Sequence, residues 1–499
     1  MTATKTNGEG LYSESEIELY LDQARRDFQS GAAVLRREKD SAILFGNCHD
    51  RYRIFQVRVT ALAAELLSMV AQGVRFAALK RALTEAGMSE GDAIDQLANV
   101  AAIARFDRDT LAISYGVIEE VLSAPLNITW DITNTCNLTC AYCLNSSGPV
   151  VDRGLTADQC LDVVDQIHDL GTYNVWIGGG EPLVKPGIER VLRRFKEYNI
   201  KVLLATNGIL VKKPKVLDLI GETCTEVNIS IDGHTQELHS SLRGASAKLQ
   251  DAVDAVRRIK DRYGKDMWVT ALTVIHRGNL EELPAIIDFC AEVGFDRWTH
   301  NELYALGSGA TMRQLVLAHT QYDRLYEILT AKEKELRGKM VVEDYVRMHK
   351  VTEPGAVKPF YGCVAGNQEI AIQDNGDVYP CQKLQYEKYY CGNVMQTPLT
   401  EMWKTSRVFQ WLRSRNIQQT ECRGCGIFAA GQCNGGCLAE KEIHFQRHDT
   451  RDPLCPENRG TYEKVLRGEI EYPYASHPVD ETIGPNDLVA GVWRPNAEA

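Results

Sequence analysis

The run Thr135-Cys-Asn-Leu-Thr-Cys-Ala-Tyr-Cys-Leu144 brings Cys136, Cys140 and Cys143 together in the spacing C-x3-C-x2-C. A [4Fe–4S] cluster normally takes four thiolates, so three thiolates leave one iron open for another ligand. An open coordination position is typical of a catalytic metal site rather than a structural one. A zinc site is the alternative interpretation. It would use four ligands in paired knuckles, and this segment lacks a second pair.

The composition of the 499-residue chain restricts the class of protein. The length suggests roughly three domains. The net charge of −11 argues against nucleic-acid binding, which needs a basic patch or stripe. No signal peptide is visible, and no apolar run approaches the ~20 residues of a membrane span. Fifteen cysteines without a secretion signal predict a cytoplasmic protein in which clustered cysteines bind metal rather than form disulfides.

The region between residues 126 and 306 alternates strand-like and helix-like segments. Strands are predicted at Leu126–Asp131, Asn174–Ile177, Lys201–Thr206, Glu226–Ile231, Trp268–Val274 and Arg297–Thr299. Repeated β-then-α units predict parallel strands with right-handed crossovers, and six such units give a partial (βα)6 TIM-like barrel of the α/β class. Chemistry in such barrels gathers at the carboxyl ends of the strands, where the three cysteines and the other polar or glycine-rich signatures fall.

These features resemble the radical S-adenosylmethionine (SAM) enzymes. The resemblance rests on the C-x3-C-x-aromatic-C pattern and on the runs Gly178-Gly-Gly-Glu-Pro182, Thr206-Asn-Gly208 and Ser230-Ile-Asp-Gly233. It implies that SAM chelates the open iron, and that one electron splits SAM into methionine and a 5′-deoxyadenosyl radical. It also implies these cofactor-binding residues: Tyr142, Gly179, Gly180, Glu181, Asn207, Ser230, Asp232 and Arg243. No catalytic residue is predicted beyond the SAM cluster.

The resemblance assigns a task to several of these residues. Backbone of the glycine run would contact the methionine amino group, because glycine lets a backbone approach a ligand closely. Ser230 would lie near SAM, and Asp232 near the ribose or the substrate. Arg243 would pair with the SAM carboxylate, which a guanidinium can grip with two hydrogen bonds. The alternatives are plain turns at the glycines and at Asp232-Gly233, and a solvated surface charge at Arg243.

A second set of cysteines occupies the C-terminal third of the chain. It resembles the SPASM extension of radical SAM proteins, including Gly376-x4-Cys, Gly392-Asn-Val394 and Gly435-Gly-Cys437. The resemblance implies two auxiliary [4Fe–4S] clusters. The first would be held by Cys363, Cys381 and Cys437, with Cys391 as fourth ligand or with an open position for substrate. The second would be held by Cys422, Cys425, Cys433 and Cys455. Seven residues separate Cys425 from Cys433 where five are usual, and structural zinc is the alternative.

The first 115 residues belong to neither part. A helix is predicted at Ile17–Arg37, strands at Ala42–Phe45 and Arg53–Val57, and three amphipathic helices after them at Ala61–Ala71, Phe76–Ala86 and Gly91–Ala104. Leu111–Ser114 is predicted as a returning strand. This order resembles a PqqD-like winged-helix module, the recognition element that binds leader peptides by adding a strand to a sheet edge. A DNA-binding winged helix and a purely structural cap are the alternatives.

The combined pattern predicts a radical SAM/SPASM peptide maturase. It would abstract hydrogen from a ribosomally made precursor peptide with a leader sequence and install a thioether, C–C or C–O crosslink, with flavodoxin or ferredoxin as electron donor. The alternatives are a sulfatase-maturase-like formylglycine-forming enzyme, a maturase on a quinone-cofactor pathway, and an iron–sulfur regulator without turnover. The predicted organisation is a disordered N-terminus (1–15), the recognition module (16–115), a linker (116–125), the radical SAM core (126–330), the SPASM domain (331–470) and a tail (471–499).

Overall fold

The chain divides into two compact units, Met1–Gly116 and Val117–Ala499, and each is described by itself. A computed structural model describes residues 12–30, 33–39, 41–47, 54–105, 121–149, 154–343, 363–415, 419–429, 433 and 435–469. Among these residues, no helix combines the length and the apolar character needed to cross a membrane.

The first unit packs helices against a small antiparallel sheet. Its elements are α1 (Glu14–Ser30), β1 (Val34–Arg37), β2 (Ser41–Asn47), β3 (Ile54–Thr60), α2 (Ala61–Ala71), α3 (Phe76–Glu85) and α4 (Glu90–Arg105). The strand order is β1-β2-β3. Ile17, Leu67, Leu79 and Leu97 are fully buried, so helices α1 to α4 share one hydrophobic core.

One expectation for this unit is wrong. The predicted helix Ile17–Arg37 ends at Ser30, and β1 pairs with β2 from Val34 opposite Phe45 to Arg37 opposite Ala42. Cross-strand pairing overrides local helix propensity at β1, because propensity is a weak prior against tertiary contacts. The predicted strand Leu111–Ser114 lies outside the described residues.

The second unit is built on a mixed sheet with the order β10-β9-β8-β7-β6-β5-β4-β11-β12-β13. Its strands are β4 (Asn127–Thr133), β5 (Asn174–Gly179), β6 (Lys201–Thr206), β7 (Glu226–Ser230), β8 (Trp268–Ile275), β9 (Arg297–Glu302), β10 (Val341–Val342), β11 (Glu369–Ile372), β12 (Asp377–Tyr379) and β13 (Gly392–Asn393). Neighbours from β10 through to β11 are parallel, and the last two pairings are antiparallel. The parallel α/β architecture of the prediction is confirmed.

Helices follow the strands of this sheet in the alternating order that the sequence predicts. They are α5 (Ala157–Leu170), α6 (Ile188–Glu197), α7 (Pro214–Thr223), α8 (Gln236–Arg243), α9 (Leu249–Tyr263), α10 (Leu283–Val293), α11 (His319–Glu335), α12 (Leu399–Thr405), α13 (Arg407–Ser414), α14 (Gly426–Ala429), α15 (Leu438–Phe445) and α16 (Arg459–Leu466). The start of α5 is a capping box, since Thr156 Oγ1 accepts from Gln159 N and Gln159 Oε1 accepts from Thr156 N.

The cysteine-rich C-terminal region joins the same sheet. Strand β11 pairs in parallel with β4, with Ile370 opposite Ile128 and Ala371 opposite Thr129. Strand β12 then turns back on β11 around Asn375-Gly376, as the turn signal predicts. The pairing places this hairpin beside β4, the strand that leads directly into the three clustered cysteines.

Candidate active site

The loop that carries Cys136, Cys140 and Cys143 is anchored by backbone hydrogen bonds to separate parts of the fold. Cys136 N donates to Gly148 O over 2.8 Å, and Ala141 N donates to Leu242 O at the end of α8 over 2.7 Å. Ser308 N, just beyond β9, donates to Cys143 O over 2.9 Å. The protein backbone therefore shapes this loop, and the cysteine positions follow from it.

The three thiols of this loop lie within electrostatic range of one another. Burial, helped by the nearby charges of Glu181, Cys140 and Cys143, raises the pKa of Cys136 to about 11, against the opposing effect of the hydrogen bond from Leu138 N. Backbone amides point at two of the sulfurs, Leu138 N at Cys136 Sγ (3.4 Å) and Ser147 N at Cys143 Sγ (3.3 Å). Metal binding must displace protons from such thiols, so it is coupled to pH.

The glycine run packs directly against the cysteine loop. Gly180 N donates to Thr133 O over 2.7 Å, and Glu181 N donates to Thr135 O over 2.9 Å. A Cβ atom at Gly179 would lie 2.4 Å from Thr133 O, and one at Gly180 would lie 2.2 Å from Thr135 O. Gly179 also has φ +110°, which side chains of L residues rarely adopt. Glycine is required here because two backbones touch.

The carboxylate of Glu181 is turned into the fold. It accepts hydrogen bonds from Thr206 Oγ1 (2.9 Å), Asn207 N (2.8 Å) and Leu183 N (3.2 Å), and the residue is 1% exposed. These bonds tie the end of β5 to the end of β6. The side chain of Glu181 thus positions the neighbouring backbone.

Tyr142, Asp232 and Arg243 form a buried polar triad beside the cysteine loop. Tyr142 donates its hydroxyl proton to Asp232 Oδ2, while Arg243 Nη1 donates to Asp232 Oδ2 (3.1 Å) and to Tyr142 Oη (2.9 Å). Val274 N donates to the other oxygen, Asp232 Oδ1, over 2.8 Å. Part of the guanidinium that the sequence assigned to the SAM carboxylate is therefore occupied. Arg243 Nε is buried and has no hydrogen-bond partner in the described part of the chain.

The remaining predicted SAM contacts lie at the neighbouring strand ends. Asn207 follows β6, and its Nδ2 donates to Asn137 Oδ1 in the cysteine loop over 2.7 Å. Ser230 is the last residue of β7 and is half-buried. The structure thus brings Asn207 to the cysteine loop itself, and Ser230 to the next parallel strand end.

The C-terminal cysteines separate into two groups in space. The thiol of Cys381 lies within electrostatic range of Cys363 and Cys437, and burial raises its pKa well above the usual value. In the second group, Cys422 lies within range of Cys425 and Cys433. The thiol of Cys455 lies within range of Cys422 and Cys433. The SPASM resemblance assigns these two groups to separate clusters, and which cluster each thiol holds stays a prediction.

Cys391 packs into the same hydrophobic cluster as Cys363, Cys381 and Cys437. Its thiol donates to Tyr389 O over 3.4 Å. After burial, the groups that influence its pKa are Ser406 and Arg413 rather than another cysteine. Among the described residues, no electrostatic contact therefore links the Cys391 thiol to those of Cys363, Cys381 and Cys437, which are linked to one another.

Four half-buried residues near the first auxiliary group had no signal in the sequence motifs. Lys383 Nζ contacts Tyr304 Oη and donates to Glu440 Oε1 over 3.1 Å. Tyr304 Oη in turn donates to Glu302 Oε2, at the end of β9, over 2.9 Å. The carboxyl-end rule for barrel strands could have drawn attention to Glu302. Its connection to Lys383 depends on the fold, because 81 residues cannot be bridged by any local pattern.

Asp131 connects the SAM-cluster segment to the auxiliary segment. It lies in β4, is 3% exposed, and accepts hydrogen bonds from Gln382 Nε2 (2.9 Å) and Gln373 Nε2 (3.3 Å). Asn145, in the cysteine loop, is a further hydrogen-bond partner. Burial raises the pKa of Asp131 to about 6, against the opposing effect of these amides. Gln382 directly follows Cys381, so one carboxylate links both cysteine-bearing segments.

The donor sets fit iron–sulfur clusters. Each group brings several thiols within electrostatic range of one another, and thiolates are the ligands that such clusters use. Within the described ranges, no three Cys, His, Asp or Glu side chains converge closely enough to hold a single metal ion. A cluster distributes its ligands over several irons, so it does not require that convergence.

Comparison with known proteins assigns these segments. Residues 130–290 match the model of the radical SAM superfamily, and residues 363–426 match the SPASM iron–sulfur cluster-binding domain. The mycofactocin maturase MftC of Mycobacterium ulcerans is 30% identical over 72% of this chain and 95% of its own length. An AdoMet-dependent heme synthase of Methanosarcina barkeri is 26% identical over 67% of this chain and 97% of its own length.

A solved structure extends the likeness. Streptococcus suis SuiB bound to its precursor peptide SuiA aligns with a TM-score of 0.63 at 19% identity, covering 85% of this chain and 99% of SuiB. The matched domains imply a SAM-binding [4Fe–4S] cluster, SAM, and auxiliary iron–sulfur clusters. Because a relative at 30% identity is covered almost completely and both family models fall on cysteine-bearing segments, this chain belongs to the radical SAM superfamily and is a radical SAM enzyme with a SPASM domain.

Proposed function

We propose that this enzyme is a peptide maturase that installs an oxidative thioether, C–C or C–O crosslink in a ribosomally made precursor peptide. The observation that carries the proposal is the fold likeness to SuiB. The alignment with SuiB covers 85% of the chain, which is more than residues 117–499 make up, so part of the first unit is aligned as well. The match to the heme synthase covers 67% of the chain, which the second unit could supply alone. An additional folded unit suits a long peptide substrate better than a compact porphyrin.

In this proposal, Cys136, Cys140 and Cys143 hold the SAM cluster. Gly179, Gly180, Asn207, Ser230 and Arg243 surround SAM, while Glu181, Tyr142 and Asp232 hold those groups in place. The bound cluster and SAM together supply a 5′-deoxyadenosyl radical, which abstracts hydrogen from the peptide. The buried donor Arg243 Nε supports a carboxylate contact, because an unpaired buried donor is costly unless a ligand satisfies it.

The auxiliary groups would accept the second electron of the oxidation. Cys363, Cys381 and Cys437 hold the first auxiliary cluster, and Cys422, Cys425, Cys433 and Cys455 hold the second. The link from the SAM loop through Asp131 to Gln382, beside Cys381, supports a short path between the peptide radical and the first auxiliary cluster. Flavodoxin or ferredoxin would return electrons to the SAM cluster.

The proposed division of labour follows the predicted boundaries. Residues 16–115 capture the leader sequence, residues 126–330 perform the radical chemistry, and residues 331–470 carry the auxiliary clusters. The antiparallel sheet β1-β2-β3 of the first unit supports leader capture, because such a sheet has outer strands to which an extended peptide can add.

The test is anaerobic reconstitution with SAM, a reductant and a short peptide encoded beside the gene, followed by mass spectrometry. We expect formation of 5′-deoxyadenosine together with a peptide that has lost two hydrogens and gained a crosslink. Oxidation of a cysteine or serine to formylglycine would favour the sulfatase-maturase alternative, and decarboxylation of a porphyrin would favour heme synthesis. A reconstituted protein that makes no 5′-deoxyadenosine at all would favour the regulator.

A further inference from the structure

The first auxiliary group has three thiols, and the hairpin geometry adds a carboxylate to them. In the ladder between β11 and β12, Ala371 lies opposite Tyr379 and Ile372 opposite Val378. If this register continued by two residues past the end of β12 at Tyr379, it would set Glu369 against Cys381. Directly opposite residues of an antiparallel pair project from the same face and lie close together. Among the charges acting on the Cys381 thiol, that of Glu369 is the strongest, followed by those of Cys363 and Cys437.

The backbone also fixes Glu369 next to Cys363. Glu369 N donates to Val364 O over 3.2 Å, and Gly366 N donates to Glu369 O over 2.9 Å. Gly366 N also donates to Pro380 O over 3.2 Å, and Pro380 directly precedes Cys381. One tight loop therefore carries Cys363 and Glu369 and rests on the residue before Cys381.

The carboxylates near these thiols differ in their partners. Glu440 accepts from Lys383 Nζ at 3.1 Å and lies 3.4 Å from His444 Nε2. The carboxylate of Glu369 accepts no hydrogen bond from the described residues, and Lys383 is the cation that acts on it. Glu369 is half-buried, and its oxygens keep lone pairs that an iron of a cluster could use.

We propose that Glu369 supplies the fourth ligand of the first auxiliary cluster through a carboxylate oxygen. The proposal rests on the assignment of Cys363, Cys381 and Cys437 as the other three ligands. Carboxylate oxygen is a harder donor than thiolate and exchanges more readily. The fourth iron would therefore be coordinated by Glu369 at rest, and a thiol could displace the carboxylate from it. Cys391 is the competing ligand, but its thiol is directed to Tyr389 O.

The experiment isolates the auxiliary clusters by replacing Cys136, Cys140 and Cys143 with alanine in the full chain. In this parent protein, electron paramagnetic resonance follows each reduced auxiliary cluster with and without added 2-mercaptoethanol. Glu369→Gln should leave the iron content near that of the parent, shift the midpoint potential of one cluster, and let low thiol concentrations change its spectrum. Glu369→Cys should make that cluster insensitive to added thiol, with a spectrum different from the parent's.

Matched controls separate the possible ligands. Cys391→Ala should leave the spectra and the midpoint potentials unchanged. Glu440→Gln should leave the response of the spectra to added thiol unchanged. Equal thiol responses of the parent and Glu369→Gln would overturn the proposal in favour of an open iron. A change confined to Cys391→Ala would overturn it in favour of Cys391. If Cys381→Ala keeps both auxiliary signals, the assignment of the three thiols fails, and the role of Glu369 fails with it.

Discussion

Single residues in the cysteine loop have separable tasks. Cys140 is half-buried, and burial raises the pKa of its thiol while the charge of Arg243 lowers it. Cys160, Cys224 and Cys290 are buried in the core instead. Free cysteine behaves there as a small apolar side chain. The chain therefore offers candidate ligand cysteines and buried core cysteines for comparison within the same unit.

Replacing Cys140 with alanine should abolish SAM cleavage, because two thiolates cannot hold the cluster in the geometry that leaves one iron open. Iron and sulfide should fall from about three clusters to about two per chain. Formation of 5′-deoxyadenosine, followed by chromatography, measures the effect. Cys160→Ala is the matched control and should keep cleavage near the wild-type rate. Normal cleavage by the Cys140 variant would show that this loop is not the SAM site.

Asp131 makes stability depend on pH. Its pKa in the folded protein is about 6, above the usual 3.8, because burial disfavours the charge. The folded state therefore holds the proton more tightly than the unfolded state. The contribution to stability is complete below about pH 3.8 and is lost as the pH rises through about 6.

Two substitutions at Asp131 should have opposite consequences. Asp131→Asn removes the buried charge, and the amides of Gln373 and Gln382 can turn to match it. Its melting temperature relative to wild type should therefore rise from about pH 3.8 to about pH 6 and level off above that. Asp131→Ala leaves the buried amide of Gln373 and the half-buried amide of Gln382 without this acceptor, and it should cost roughly 1–3 kcal/mol. Equal destabilisation by both variants at pH 7.5 would mean that the ionised carboxylate itself is required.

At the scale of elements, the contact between the end of β5 and the cysteine loop sets the site. Gly180 touches the backbone of Thr135, whereas Gly178, two positions earlier, has ordinary space. A Cβ atom at Gly178 would lie 3.6 Å from Asp131 Oδ1, a normal van der Waals distance. The same substitution at these two positions therefore tests the contact with little change in chemistry.

Gly180→Ala should displace the cysteine loop, since its Cβ would lie 2.2 Å from Thr135 O and backbone cannot yield cheaply. We expect a loss of SAM-cluster iron and at least a tenfold loss of SAM cleavage, equivalent to about 1.4 kcal/mol. Gly178→Ala should remain near wild type in both measurements. Similar behaviour of the two variants would argue that the glycine run is only a turn.

At the scale of the whole molecule, the two units can be separated experimentally. Every cysteine assigned to a cluster lies in Val117–Ala499. The described core of the first unit consists of hydrophobic side chains and includes none of these cysteines. The proposed function therefore assigns the radical chemistry to one unit and leader capture to the other.

Removal of residues 1–116 should weaken binding of the precursor peptide at least tenfold while sparing peptide-independent SAM cleavage. Leader affinity can be measured by fluorescence anisotropy for the full and shortened proteins. A proline placed in the segment of the leader that pairs with the sheet should weaken binding to the full protein as the truncation does, because proline cannot donate to a strand ladder. Equal affinities of the two proteins would make the first unit a cap or a surface for another partner.

Local patterns were sufficient for much of this protein. Cysteine spacing predicted the cluster-bearing segments, and alternating strands and helices predicted the parallel sheet, because both depend on residues close together in the chain. The assignment of Cys363, Cys381 and Cys437 to one auxiliary cluster, made from motif order, stays a prediction. The misassigned helix Ile17–Arg37 shows the limit, since the strand at its end exists through pairing with β2.

Contacts between distant residues were beyond the reach of such patterns. The triad of Tyr142, Asp232 and Arg243 joins residues up to 101 positions apart. The link from Asp131 to Gln382 spans 251 positions. Which polar side chains meet is set when strands take neighbouring places in one sheet and exclude water from the space between them. Long-range packing therefore determined which predicted residues are paired with each other. It also placed the C-terminal hairpin beside the strand that leads to the three clustered cysteines.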